Sequence, residues 1–115
     1  MMQDPALSAL MRALADPTRR SIYERISAAT EINVADLTAG SGVTQGAISQ
    51  HLKTLKLAGL VAERPEGRQV FYRATPQGLG PLATWFDHYG AFWKDSFSGL
   101  RDLLQTMDPK DKPDV

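Results

Sequence analysis

The chain contains no cysteine. That removes disulfides, thiolate metal sites and cysteine nucleophiles together. Its two histidines, His51 and His88, make a poor inventory for a transition metal. No apolar run is long enough to span a bilayer. No basic-then-apolar leader opens the chain, so a cytoplasmic location without membrane contact is expected. Paired carboxylates, a nucleophile–base set and a phosphate loop are all missing, which sets enzyme chemistry aside. Net charge is missing too, with 13 Lys and Arg against 13 Asp and Glu.

The 115 residues, 43% hydrophobic and 23% charged, suit a single domain around one core. The zero net charge hides an uneven distribution. Over residues 44–75, Lys53, Lys56, Arg64, Arg68 and Arg73 face only Glu63 and Glu66, a net of +3. Residues 76–115 carry four bases and six acids, a net of −2. A local basic segment matters more to a nucleic acid than the total.

That segment opens with TQGAISQHLKTLKLAGL, residues 44–60. Thr44 suits an N-cap and Gly59 the left-handed position past a helix end. Ile48, Leu52 and Leu55 recur at helical spacing and define an inner stripe. The opposite face carries Gln45, Gly46, Ser49, Gln50 and Lys53, with no acid. Amides and hydroxyls there can read base edges in the major groove, and Lys53 can meet phosphate. An ordinary solvated helix face is the competing reading.

The flanking pattern supplies context. Leu7, Leu10, Met11 and Leu14 predict a first helix from Pro5 to about Ala15. Asp16-Pro17 restarts the chain as cap and first-turn proline, and a second helix reaches about Ala28 with Ile22, Tyr23 and Ile26 inward. Thr30 to Ile32 is short and extended. Asn33 caps a short helix, VADLTA, anchored by Leu37, with Asp36 placed for a capping box. Gly40-Ser41-Gly42 stops it, and the helix of residues 44–58 follows after that tight turn, which makes a helix-turn-helix. Val61–Arg64 and Gln69–Arg73 then read as strands around Pro65–Arg68, a β-hairpin over 61–74 with Arg64 and Arg68 at its tip. Thr75-Pro76 predicts another helix start, irregular at Gly78, Gly80 and Pro81. The stripe Leu82, Phe86, Tyr89, Trp93, Phe97, Leu100, Leu104 and Met107 has seam-like spacing, with a break expected near Gly90. Residues 108–115 read as a disordered tail, leaving 1–107 as the folded domain.

The C-terminal helix carries more apolar surface than a domain of this size needs, and Trp85 and Phe92 add to it. Leu7, Leu10, Met11 and Leu14 offer a matching stripe. A homodimer through Leu7, Leu10, Met11, Leu14, Phe86, Tyr89, Trp93, Phe97, Leu100 and Leu104 is expected. Aromatics lining an effector pocket are the weaker alternative. Leu57 falls opposite the inner stripe and is expected to pack under the hairpin.

The order of elements resembles the ArsR-type bacterial transcriptional repressors from about Leu7 to Leu104. LADPTRRSIYERI at 14–26, VADLT at 34–38, TQGAISQHLKTLKLAGLV at 44–61 and EGRQVFYRAT at 66–75 carry the resemblance. It implies a mainly α winged helix-turn-helix with a small β-hairpin wing, dimerising through its N- and C-terminal helices. It also implies a repressor of a palindromic operator on double-stranded DNA. Contacts would come from Thr44, Gln45, Gly46, Ser49, Gln50, His51, Lys53, Arg64 and Arg68. Known metal sites of the family have no match here. Asn33 to Leu37 lacks a Cys-x-Cys pair, and Asp87-His88 has no His or Glu partner late in the helix. The chain is similar to the metal-free branch, with no cofactor and an unidentified small-molecule effector if any. Two other functions stay open: a winged helix used for protein interaction, and a metal-responsive repressor built on carboxylates and His88.

Overall fold

The computed structural model describes residues 4–106, with the side chains of 92–101 and 104 outside that description. Along the chain run α1 (Pro5–Ala15), α2 (Pro17–Ala28), β1 (Ile32–Asn33), α3 (Val34–Thr38), α4 (Gln45–Leu57), β2 (Val61–Glu66), β3 (Gln69–Ala74) and α5 (Gly80–Thr106). The three strands form an antiparallel sheet in the order β1-β3-β2. This is a winged helix-turn-helix.

Two compact units divide the chain, one ending at Leu82 and the other starting at Ala83. The first holds the core. Leu10 and Ala13 of α1, Ile22 and Ile26 of α2, Leu37 of α3, Ile48, Leu52 and Leu55 of α4, and Leu60 and Val61 are all buried. Leu14, Tyr23, Tyr72 and Leu82 pack on its edge.

Helices α1 to α4 each start on the cap their sequence offers. Asp4 accepts from the Ala6 and Leu7 amides, Asp16 from Arg19 at 2.9 Å, Asn33 from Asp36 at 2.8 Å and Thr44 from Ala47 at 3.1 Å. The Asp36 carboxylate makes no return bond to Asn33 among the described residues, so the expected capping box is one-sided. The ends of α1 and α3 are closed by arginines. Arg19 donates to the carbonyls of Ala13 (2.6 Å) and Arg12 (2.8 Å), and Arg20 to Leu14 (2.8 Å), which satisfies the last turn of α1. Arg25 does the same for α3, reaching Leu37 and Asp36 at 2.6 and 2.9 Å.

Helix α4 ends in a Schellman motif. Leu60 N–H donates to Leu55 and Gly59 N–H to Lys56, both at 3.0 Å, with Gly59 at φ 77°. The wing turn is shorter than expected. Glu66 still pairs with Gln69, so only Gly67 and Arg68 form the loop. Gly67 has φ 62° and Arg68 a negative φ, the sign pattern of a type II′ turn, which suits the twist of a hairpin. Pro65 sits within β2, opposite Val70. It is tolerated there because β2 is an outer strand.

Four expectations change. Leu10 faces the protomer's own core at 1% exposure, so it is not available to a second chain. Leu14 also packs against that core, whereas Met11 is 41% exposed. Leu57 does not pack under the wing; it is 79% exposed. Thr75-Pro76 opens a turn, not a helix. Thr75 spends its hydroxyl on the Gly59 carbonyl at 2.6 Å, and α5 begins only at Gly80. Helix α5 then runs unbroken through Gly90, because one interior glycine costs only about 1 kcal/mol. Met107, the tail 108–115 and the side chains of Trp93, Phe97, Leu100 and Leu104 lie outside the described residues.

The turn before α5 is crowded. A Cβ on buried Gly78 would lie 2.7 Å from Thr75 Oγ1, 2.8 Å from the Gly59 carbonyl and 3.0 Å from Leu60 Cα. Two of these are backbone atoms, so the overlap cannot be relieved by a rotamer change. Gly78→Ala is expected to lower stability by about 1–3 kcal/mol in urea unfolding. An unchanged midpoint would show that this junction is slack.

Two acids tie the sheet to its surroundings. Glu31 accepts a bidentate bond from Arg64, at 2.9 Å from Nε and 2.8 Å from Nη2. Glu63 pairs with Lys56 and accepts from Tyr72 at 3.2 Å. The hydrogen bond from Arg64 holds the Glu31 carboxyl below its ordinary pKa, and that from Lys56 does so for Glu63. With both lowered on folding, the folded state binds fewer protons than the unfolded chain. Their stabilisation is therefore complete above the ordinary glutamate value of about 4.3 and is lost as pH falls through the shifted values. A Glu31→Gln/Glu63→Gln variant should show a shallower loss of stability than the parent below about pH 4.3. Superimposable acid profiles would rule these pairs out as contributors.

Candidate nucleic-acid interface

Helix α4 is oriented by its buried stripe. Ile48, Leu52 and Leu55 are at most 1% exposed, which forces the opposite face outward. Gln45, Gly46, Ser49, Gln50 and Lys53 are all exposed on it. The side chains of Gln45, Ser49, Gln50 and Lys53 make no hydrogen bond or ion pair among the described residues. Nothing lies within 4 Å of the place a Cβ would take on Gly46, so the backbone there is open to close approach. Thr44 stands just ahead, its hydroxyl oxygen engaged as the cap.

His51 behaves differently. It is half-buried, and the Arg19 backbone N–H first of all, with His51 a lesser neighbour, lowers the pKa of Asp16. It thus lies beside the α2 cap, at the rim of the outward face.

The wing adds one uncommitted cation to this surface. Arg68 occupies the two-residue turn, exposed and without an ion pair among the described residues. It also lines a notch of about 230 Å3 together with Asn33, Gln45 and Gln69. The α4 start and the wing turn therefore face one another across a small gap. Arg64 is not at the tip. It sits within β2, opposite Phe71, with its guanidinium 5.0 Å from the Phe71 ring centre. Bonds to Glu31 and a 3.2 Å contact to Glu66 occupy it and push its pKa further up.

The structure also assigns duties that sequence spacing does not announce. Arg19, Arg20 and Arg25 close helix ends six to twelve residues away in the chain. Basic residues just after a helix end are a weak signal for the first two. For Arg25, and for the Glu31–Arg64 pair across 33 residues, no local pattern exists.

Helix α5 exposes aromatic surface: Trp85 (41%), Phe86 (50%) and Tyr89 (48%), with Leu103 (56%) further along. Trp85 and Tyr89 lie 5.1 Å apart, and His88 stands edge-on to Tyr89 at 4.6 Å. No helix among the described residues is long and apolar enough to cross a membrane. No group of three or more His, Asp or Glu is gathered for a metal ion among them.

Comparison with known proteins agrees with this geometry. A family profile described as a helix-turn-helix domain matches residues 14–64. An HTH-type transcriptional regulator of Mycobacterium tuberculosis, Rv2034, is 41% identical over 95 residues, 83% of this chain and 85% of that protein. The arsenical resistance operon repressor of Escherichia coli is 39% identical over 67 residues, 58% of this chain and 57% of the repressor. An ArsR-like transcriptional regulator from Rhodococcus sp. RHA1 has a solved structure with TM-score 0.68 and 28% identity, covering 89% of this chain and 95% of that one. Outward polar helix, wing and relatives converge: the chain belongs to the ArsR-like winged helix-turn-helix transcriptional regulators, which bind DNA and are not enzymes.

Proposed function

We propose that the chain is a dimeric repressor reading a palindromic operator through residues 44–58 and the wing at 61–74. The observation that carries this is the state of its polar groups. Most arginines of the first unit are bound to carbonyls or carboxylates, while Gln45, Ser49, Gln50, Lys53 and Arg68 are exposed and uncommitted. Such groups present donors and acceptors to a partner without first breaking internal bonds. Gln45, Ser49 and Gln50 lie on the N-terminal half of α4 and take base edges. Gly46 and Thr44 let the backbone come close, and His51 contributes at the rim. Lys53 and Arg68 meet phosphate, or the minor groove in the case of Arg68. Arg64 drops out of the contact set, because binding DNA would cost its bidentate bond to Glu31.

Dimerisation is assigned to the exposed apolar residues of α5, continuing towards Trp93, Phe97, Leu100 and Leu104, with Leu7 and Met11 contributing from α1. A two-fold pair would set two copies of α4 about one helical turn, ~34 Å, apart on one DNA face. A cytoplasmic regulator without a metal cofactor, released by an organic effector or a partner, fits the ligand-poor sequence.

Gln45→Ala or Gln50→Ala should cost roughly 1–3 kcal/mol per half-site on a selected operator and little on random duplex. Lys53→Ala and Arg68→Ala should instead weaken both duplexes, and flatten the salt slope by about one per lost phosphate contact. Binding assays across salt concentrations separate the two patterns. If Gln45→Ala and Arg68→Ala both leave affinity and slope untouched, another surface reads the DNA.

Sedimentation should show a dimer at micromolar concentration. Phe86→Asp/Tyr89→Asp should yield a soluble monomer, since both side chains are half-exposed in one protomer yet would place unpaired charge in a dry interface. A stable monomer for the unmodified chain would overturn the dimer.

A further inference from the structure

We infer that Glu31 and Asn33, on the segment leading into α3, are positioning residues that hold the wing at the angle from which Arg68 meets DNA. The inference rests on the DNA-reading surface proposed above. Two independent tethers leave this segment. The first is the Glu31 carboxylate, which takes both arms of Arg64 at 2.8 and 2.9 Å. In register, Arg64 lies opposite Phe71, and Phe71 lies opposite Asn33 on the other side. The pair therefore reaches from the residue just before β1 to β2, on the far side of β3, with the guanidinium 5.0 Å from the Phe71 ring centre.

The second tether uses both ends of one amide. Asn33 Oδ1 accepts the Asp36 amide that starts α3, while Nδ2 donates to Gln69 Oε1 at 3.4 Å. Gln69 is the neighbour of Arg68 and the first residue of β3. The start of the helix-turn-helix is thereby linked to the wing turn beside the 230 Å3 notch that separates Gln45 from Arg68.

Backbone pairing alone holds the wing loosely. Strand β1 contributes only two residue pairs, and an isolated two-stranded hairpin is marginal in water. Nor are the tethers built for global stability. The Arg64 and Glu31 side chains are 46% and 28% exposed, and exposed pairs contribute little to folding. What they fix is direction. A wing held in place before binding loses less freedom when Arg68 engages phosphate.

The test is a double-mutant cycle on the full chain, with an operator duplex selected from a random pool. Glu31→Gln removes one tether. Asn33→Ser removes the other and keeps a hydroxyl to cap α3. The pair of changes should leave the urea midpoint close to that of the parent and lower operator affinity about five- to tenfold. Arg68→Ala, costing about tenfold in the parent, should cost less than about twofold in the untethered chain, because its contact is already lost. If the double change unfolds the chain, Asn33→Ser alone gives the same cycle with a smaller coupling. An undiminished Arg68→Ala effect would overturn the inference. So would tighter binding after Glu31→Gln, since Arg64 would then be a phosphate ligand masked by Glu31. Failure of the unmodified chain to select any operator would instead remove the DNA-reading proposal beneath it.

Discussion

Ile48, Leu52 and Leu55 leave almost no surface to water, and this burial dictates how α4 meets the outside. Each such side chain contributes roughly 1.5–3 kcal/mol when buried. Turning the helix by a single residue step would draw this stripe out of the core and carry Ser49 and Lys53 towards it. Rotation about the helix axis is therefore closed. Sliding along the axis is closed too, by the Thr44 cap at one end and the Schellman turn at Gly59 at the other. The outward face is set by what the inward face cannot give up.

From that constraint follows a division of labour among polar residues. Groups on α2 work for the fold: Arg19, Arg20 and Arg25 answer carbonyls that would otherwise end α1 and α3 unpaired. On α4 and the wing turn, by contrast, the side chains of Gln45, Ser49, Gln50, Lys53 and Arg68 make no hydrogen bond or ion pair among the described residues. Two polar surfaces thus differ in availability, and availability is what a recognition surface requires.

Local signals made most of this legible in advance. Asp16-Pro17, Asn33, Thr44 and Gly59 act through bonds to residues two to five places away, so the sequence window contains both partners. Element order and the outward face of α4 followed from those positions and from the stripe. Readings failed where the deciding partner lay far off or where one periodicity served two ends. Arg64 looked like a tip cation until Glu31, 33 residues earlier, claimed it. Leu10 shares its helical spacing with Met11, and periodicity does not say which of two neighbouring stripes meets the core and which meets another chain. Thr75-Pro76 carried a helix-start pattern, but the carbonyl of Gly59 competes for the same hydroxyl. Leu57 shows the reverse case: helical phase put it opposite the inner stripe, and it stays 79% exposed where packing under the hairpin was expected.

The charge balance ties fold and recognition together. Residues 44–75 carry a net of +3, yet formal charge overstates what DNA would meet. Lys56 is paired with Glu63, and Arg64 with Glu31 and Glu66. That leaves Lys53, Arg68 and Arg73 outside any ion pair among the described residues, and Arg73 also acts on Glu31. Each phosphate neutralised contributes a salt slope of about 0.9, so on the proposed reading two or three cations per half-site would support only a modest sequence-independent attraction. On the reading proposed above, discrimination between an operator and other DNA would then fall to the amides and hydroxyl on the first turns of α4. A surface with few free charges and several directional groups favours discrimination over raw affinity.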